Sequence, residues 1–185
     1  MQVNDQIILG IDPGSNIMGY GLIHVDKKQL HLLKMGVLKL NGKDTQLLRM
    51  KQIFDFTLHL IEEYLPDVMA IESPFFGKNV QSMLKLGRAQ GTAIAAALFK
   101  DIPVFEYSPK KVKQSITGKG GASKEQLSAM LYRILEINET SPYLDATDAL
   151  GIAVCHYYQS NSLIQSAKYT GWESFISKNA DRVIK

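Results

Sequence analysis

The sequence predicts an α/β protein whose mixed sheet opens with three antiparallel strands, continues with parallel ones, and is flanked by helices. Three observations carry this. Apolar runs of strand length fill the first forty residues with only short polar connections between them; segments of helical period then alternate with short strand-like runs; and the 185 residues contain no internal repeat and no low-complexity linker, a length that suits one domain with a sizeable core.

The elements follow in order. Ile7 to Asp12 reads as the first strand, and Gly19 to Val25 and Leu30 to Leu40 as two more, joined through Asp26, Lys27 and Lys28 as an antiparallel meander. From Thr45 to Leu65, the residues Leu47, Leu48, Ile53, Phe54, Leu58, Ile61 and Leu65 recur at helical spacing until Pro66 stops the pattern. Asp67 to Glu72 is a strand, Asn79 to Lys100 a second helix and Val104 to Tyr107 a short strand. That second helix, with Gly87 and Gly91 four apart and Ala93 to Phe99 almost wholly apolar, is either buried all round or shared with a partner subunit. Ser123 with Gln126 forms a capping-box signature for a helix to about Leu135, and a last helix covers roughly Pro142 to Tyr158. The expected organisation is one domain over 1–158 and a tail over 159–185, whose Trp172, Phe175 and Ile176 either dock on the core or leave the tail mobile.

Composition excludes several classes. Hydrophobic residues make up 45% and charged residues 21%, ordinary values for a soluble globular chain. The single Cys155 lies in an apolar helical run and reads as a packing thiol in a reducing, cytoplasmic setting. The first residues carry no export signal, and no stretch of apolar residues is long enough to span a membrane. The net charge of +3 is unevenly placed: residues 78–133 hold ten Lys or Arg against three acids, which suggests a polyanionic partner. Lys110, Lys111, Lys113, Lys119 and Lys124 crowd a segment with Gly118, Gly120 and Gly121, where a flexible backbone can approach phosphates.

Four acids stand out against this background. Asp12 ends an apolar run and opens the turn Pro13, Gly14, Ser15; Glu72 ends another and opens Ser73, Pro74, Phe75, Phe76. Both read as acids at the tips of buried strands. Asp145 and Asp148, three apart in LDATDALGIAV, share one helix face. Any one of them is an ordinary turn or surface acid, but together they point to a shared cation. At about 4 Å and an effective dielectric of about 20, each like-charged pair costs about 4 kcal/mol unless a cation intervenes. An all-oxygen donor set suits Mg²⁺ or Mn²⁺, and the histidines at 24, 31, 59 and 156 are scattered along the chain as surface or core-edge residues, so a zinc site is not expected.

Four ordered blocks carry a family resemblance: ILGIDPGSNIMGYG (8–21), AIESPFFGKNVQSMLKLGRAQG (70–91), PVFEYSPKKVKQSITGKG (103–120) and DATDALGIA (145–153). They resemble the RuvC family of Holliday-junction resolvases, crossover junction endodeoxyribonucleases of the RNase H-like superfamily. The resemblance implies an RNase H-like sheet and Asp12, Glu72, Asp145 and Asp148 as catalytic acids holding two Mg²⁺ per subunit, with Mn²⁺ able to substitute. It implies that Lys113 and Lys124 lie near the scissile phosphate, and that Phe75 inserts at the junction. Phe76, Lys78, Lys110, Lys111 and Lys119 are the further DNA-binding candidates. The implied partners are four-way junction DNA, a second subunit forming a homodimer with two sites, and a branch-migration motor. Other readings are compatible with the same residues. One is an RNase H-like nuclease acting on structured RNA, one an inactive nucleic-acid-binding relative, and one an actin-like ATPase or sugar kinase, to which the loop Asp12 to Ser15 with Gly19 and Gly21 is also similar but which needs a second lobe.

Overall fold

The computed structural model describes residues 5–73, 79–137 and 143–166, with side chains as far as 161. Five strands form one sheet in the order β3-β2-β1-β4-β5. β1 (Asp5–Asp12), β2 (Ile17–Asp26) and β3 (Gln29–Lys39) make the antiparallel meander, and β4 (Val68–Glu72) and β5 (Val104–Tyr107) add parallel to β1. The tight β2–β3 connection places Lys27 and Lys28 at positive φ, 47° and 77°.

Strand alternation sorts the core into two faces. Leu9, Ile11, Met18, Leu22, Met69 and Ile71 point to one side. There they pack under α1 (Gln46–Tyr64) and α2 (Val80–Phe99). Ile8, Ile23, Val25, Val68 and Ala70 point to the other, under α3 (Pro109–Thr117), α4 (Lys124–Ile134) and α5 (Leu144–Ser166). Each fully buried Ile or Leu contributes roughly 1.5–3 kcal/mol, and the central strands supply most of them.

Local chemistry sets the helix ends. Thr45 caps α1 by accepting from the Leu48 N–H, and Leu65 closes it in the left-handed region just before Pro66. Asn79 caps α2, and Ser123 and Gln126 form a complete reciprocal capping box on α4. Three expectations change. The basic segment after Ser108 is not an open glycine-rich loop: residues 109–117 form α3, with Ser108 as cap, Pro109 in the first turn and Gly118 ending it at φ 74°. α5 carries on past Tyr158 to Ser166. His156 is not at a core edge; it is buried, its Nδ1 at 2.8 Å from the Tyr107 hydroxyl and its ring against Phe105. Of the two alternatives for α2, burial all round does not hold, because Val80, Leu84, Leu98 and Phe99 stand exposed. Cys155 is buried as expected, and among the described residues no helix is long and apolar enough to cross a membrane.

Candidate active site

The paired register of β1 and β4 decides where their terminal acids point. Ile8 and Gly10 face α5, and so does Asp12 two residues on; Val68 and Ala70 face α5, and so does Glu72. The last registered pair, Ile11 with Ile71, sets these two acids side by side at the strand tips.

α5 completes the set because it lies directly on the sheet. A Cβ added at Gly10 would fall 2.1 Å from the Ala149 carbonyl oxygen, and one added at Gly19 would fall 2.0 Å from that of Asp145. Only glycine permits this approach. Gly19 is also the β2 partner of Asp12, so the contact that admits the first turn of α5 is the one that sets Asp145 beside Asp12. At the same end, the Lys39 ammonium donates to the Tyr143 hydroxyl at 2.7 Å and lies 4.6 Å from its ring centroid, which fixes the residue just before α5. The Asp12 loop is tied on its outer side by Arg49 of α1, whose guanidinium donates to the Ser15 carbonyl, the Asn16 side chain and the Gly42 carbonyl at 3.1, 3.0 and 2.7 Å. Sequence reading missed Arg49, Lys39 and the spacing role of the glycines. For Gly10 and Gly19 a signal existed, since neighbouring strands both place glycine on one face; for Arg49 there was none.

The result is a cleft of about 340 Å³ lined by Asp12, Glu72, Asp145, Asp148, Lys113 and Lys124. One oxygen each from Asp12, Asp145 and Asp148 lie within 4.8 Å of one another; Glu72 lines the same cleft but stands outside that trio. The Lys124 ammonium is hydrogen-bonded to Asp148 and lies 3.7 Å from Asp145. Burial, reinforced by Glu72, Asp148 and Asp145, holds the Asp12 carboxyl well above the usual range, with Lys124 opposing. Glu72 is pushed up to about 7 by burial and by Asp148, against the lowering pull of Lys124 and Lys113. Lys124 itself is raised: burial opposes its charge, but the bond to Asp148 and the fields of Asp148, Asp12 and Asp145 prevail.

These shifts test the fit of a metal. Burial and the neighbouring acids disfavour the charged forms of Asp12 and Glu72 even with Lys113 and Lys124 in the cleft, so the clustered donors suit further positive charge, and their oxygen-only composition suits a hard divalent ion. The remaining candidates divide. Lys110, Lys111 and Lys119 are exposed on α3 and the turn after it, outside the lining of this cleft. Phe75, Phe76 and Lys78 lie outside the described residues.

A mixed sheet of this order, with acids at two adjacent strand tips and on a helix crossing them, defines a nuclease of the RNase H-like class. Residues 8–156 match the family model described as crossover junction endodeoxyribonuclease RuvC. The chain is 58% identical over 179 residues to the crossover junction endodeoxyribonuclease RuvC of Cytophaga hutchinsonii, covering 97% of this chain and 88% of that one. It superimposes on the Thermus thermophilus RuvC structure with a TM-score of 0.78 at 31% identity, and on T. thermophilus RuvC in complex with Holliday junction substrate with 0.77 at 28%, each time covering 84% of this chain and 96% of the other. The chain belongs to the RuvC family of crossover junction endodeoxyribonucleases.

Proposed function

We propose that this protein is a structure-selective endodeoxyribonuclease that resolves Holliday junctions, in recombination and repair, by paired symmetric phosphodiester hydrolysis. The observation that carries it is the convergence of Asp12, Asp145 and Asp148 within 4.8 Å, with Glu72 and two lysines in the same cleft, in a chain of the RuvC family. The four acids would hold two Mg²⁺ per subunit, with Mn²⁺ able to substitute. When bound, such ions lower the pKa of an attacking water and stabilise the leaving 3′ oxygen. The protein's own groups do the rest. Lys124, between the helix acids, and Lys113, on the Glu72 side of the cleft, offset charge that builds on the phosphate. Lys110, Lys111 and Lys119 contact the backbone of the arms. Phe75 stacks at the branch point, and Phe76 and Lys78 are further DNA-binding residues.

Two sites are needed for paired cuts, and the exposed apolar face of α2 supplies the contact for a second copy: Val80, Leu84, Leu98 and Phe99 are exposed, and nothing stands within 4 Å of a Cβ at Gly87 or Gly91, so another backbone can come close. A branch-migration motor is the further partner. The test is cleavage, in Mg²⁺, of a four-way junction beside duplex, single-stranded DNA, RNA–DNA hybrid and structured RNA. Symmetric cuts confined to the junction support the proposal, and preferential cleavage of structured RNA overturns it.

A further inference from the structure

The inward face of α2 is lined by small apolar residues, with Ala89, Ala93, Ala96 and Ala97 fully buried. Gln90 interrupts it. The residue is 7% exposed, and its Nε2, which carries two hydrogens, donates to the Glu106 carboxylate at 2.7 Å and to the main-chain carbonyl of Glu72 at 3.3 Å. The backbone of β4 alternates its bonding edge: Met69 and Ser73 donate to β5, so the Glu72 carbonyl between them faces the β1 side. There the registered β1–β4 pairs end at Ile11 and Ile71, one residue short. The peptide that follows Glu72 thus lies past the end of one ladder, and Gln90 supplies the donor that the ladder no longer provides. Glu106, on the neighbouring strand, holds the amide in place from its other hydrogen.

We propose that Gln90 is a positioning residue for Glu72: from the α2 side it fixes the last peptide of β4, and through it the direction in which the Glu72 carboxylate enters the cleft on the α5 side. This rests on the reading of Glu72 as a metal-binding acid. The geometry explains why the position takes an amide. A carboxylate there would face both the Glu106 carboxylate and a carbonyl oxygen, and an apolar side chain of equal length would leave the Glu72 carbonyl unpaired at the edge of the site. Partners that orient a ligand in this way typically matter about 10–100-fold in metal affinity or activity.

The test uses the full chain with Gln90→Met, which keeps the volume, and Glu106→Ala, which removes the exposed partner and leaves the core intact. Mn²⁺ binding to the protein alone is measured by calorimetry, single-turnover cleavage of a four-way junction at saturating Mg²⁺ by gel, junction affinity without metal, and the melting temperature. Gln90→Met is expected to weaken Mn²⁺ binding and slow cleavage by about tenfold each, Glu106→Ala by about threefold, while junction affinity stays within about twofold and melting within a few degrees. Wild-type Mn²⁺ binding and rates in both variants overturn the proposal, as does a loss that scales with a fall in melting temperature across the two. Should Gln90→Met fail to fold, Glu106→Ala decides. If the wild-type protein cleaves no junction, the functional reading fails, and the calorimetry still decides the role of Gln90.

Discussion

At the scale of residues, Lys124 is the cation that the chain itself places among the acids, and its geometry separates two kinds of basic side chain. Lys124 touches Asp148 and lies near Asp145, and Lys113 acts on Glu72, whereas Lys110 and Lys111 stand outside the cleft. Lys113→Ala and Lys124→Ala are therefore expected to slow single-turnover cleavage more than they weaken binding, while Lys110→Ala and Lys111→Ala weaken binding and each reduce its salt slope by about one. Rates and affinities at several salt concentrations check the division. Asp12→Asn, Glu72→Gln and Asp148→Asn should each lower cleavage by roughly 10²–10³-fold and leave junction binding intact, since on the proposed reading the phosphate contacts come from the basic residues. Near-normal turnover in Asp12→Asn, measured in the same assay, would refute the metal assignment. The acids were legible in the sequence because each strand-end acid is followed by turn residues and the helical pair keeps a spacing of three. Arg49 and Gln90 were not, because their partners are main-chain carbonyls that any sequence supplies and the side chains of Asn16 and Glu106, which only the fold brings near.

At the scale of elements, the seat of α5 on β1 and β2 links stability to chemistry. Gly19→Ala drives a Cβ into the Asp145 carbonyl, so it is expected to cost about 1–3 kcal/mol in urea denaturation and also to abolish cleavage, because the displaced turn bears Asp145. A variant that lost stability and kept its rate would show that the acids tolerate the shift. Deeper along α5, burial depresses the His156 pKa to about 4 from its ordinary 6.5. As pH falls, the unfolded chain takes up this proton first, so the stability held by the neutral ring is complete above about 6.5 and is lost on the way down to about 4, an effect on the order of 3 kcal/mol. The difference between wild type and His156→Phe in denaturation at pH 7 and pH 4.5 isolates it from Asp12 and Glu72, whose raised values act in the opposite sense. The strands and the capped helices α1, α2 and α4 emerged from periodicity within a few residues. α3 did not, because its lysines and trailing glycines resemble a loop; the Ser108, Pro109 and Gly118 punctuation was the available signal.

At the scale of the whole molecule, the exposed stripe on α2 is expected to hold two copies together. Leu84→Glu should shift the protein from dimer to monomer in sedimentation while leaving the fold intact, and should convert paired junction cuts into single nicks. Retention of a dimer would place the subunit contact elsewhere. The sequence of that helix showed an excess of apolar surface but not which side stayed open, since that depends on how α1 and the sheet cover it. The order of the elements along the chain bears on synthesis as well. Asp12 and Glu72 belong to strands that leave the ribosome early, whereas Asp145 and Asp148 arrive on α5, the last described element, which closes over β1 and β2 only when the rest of the sheet exists. A chain that stops before α5 therefore carries Asp12 and Glu72 without Asp145 and Asp148, and on the proposed reading it is expected to leave a four-way junction uncut in the same gel assay.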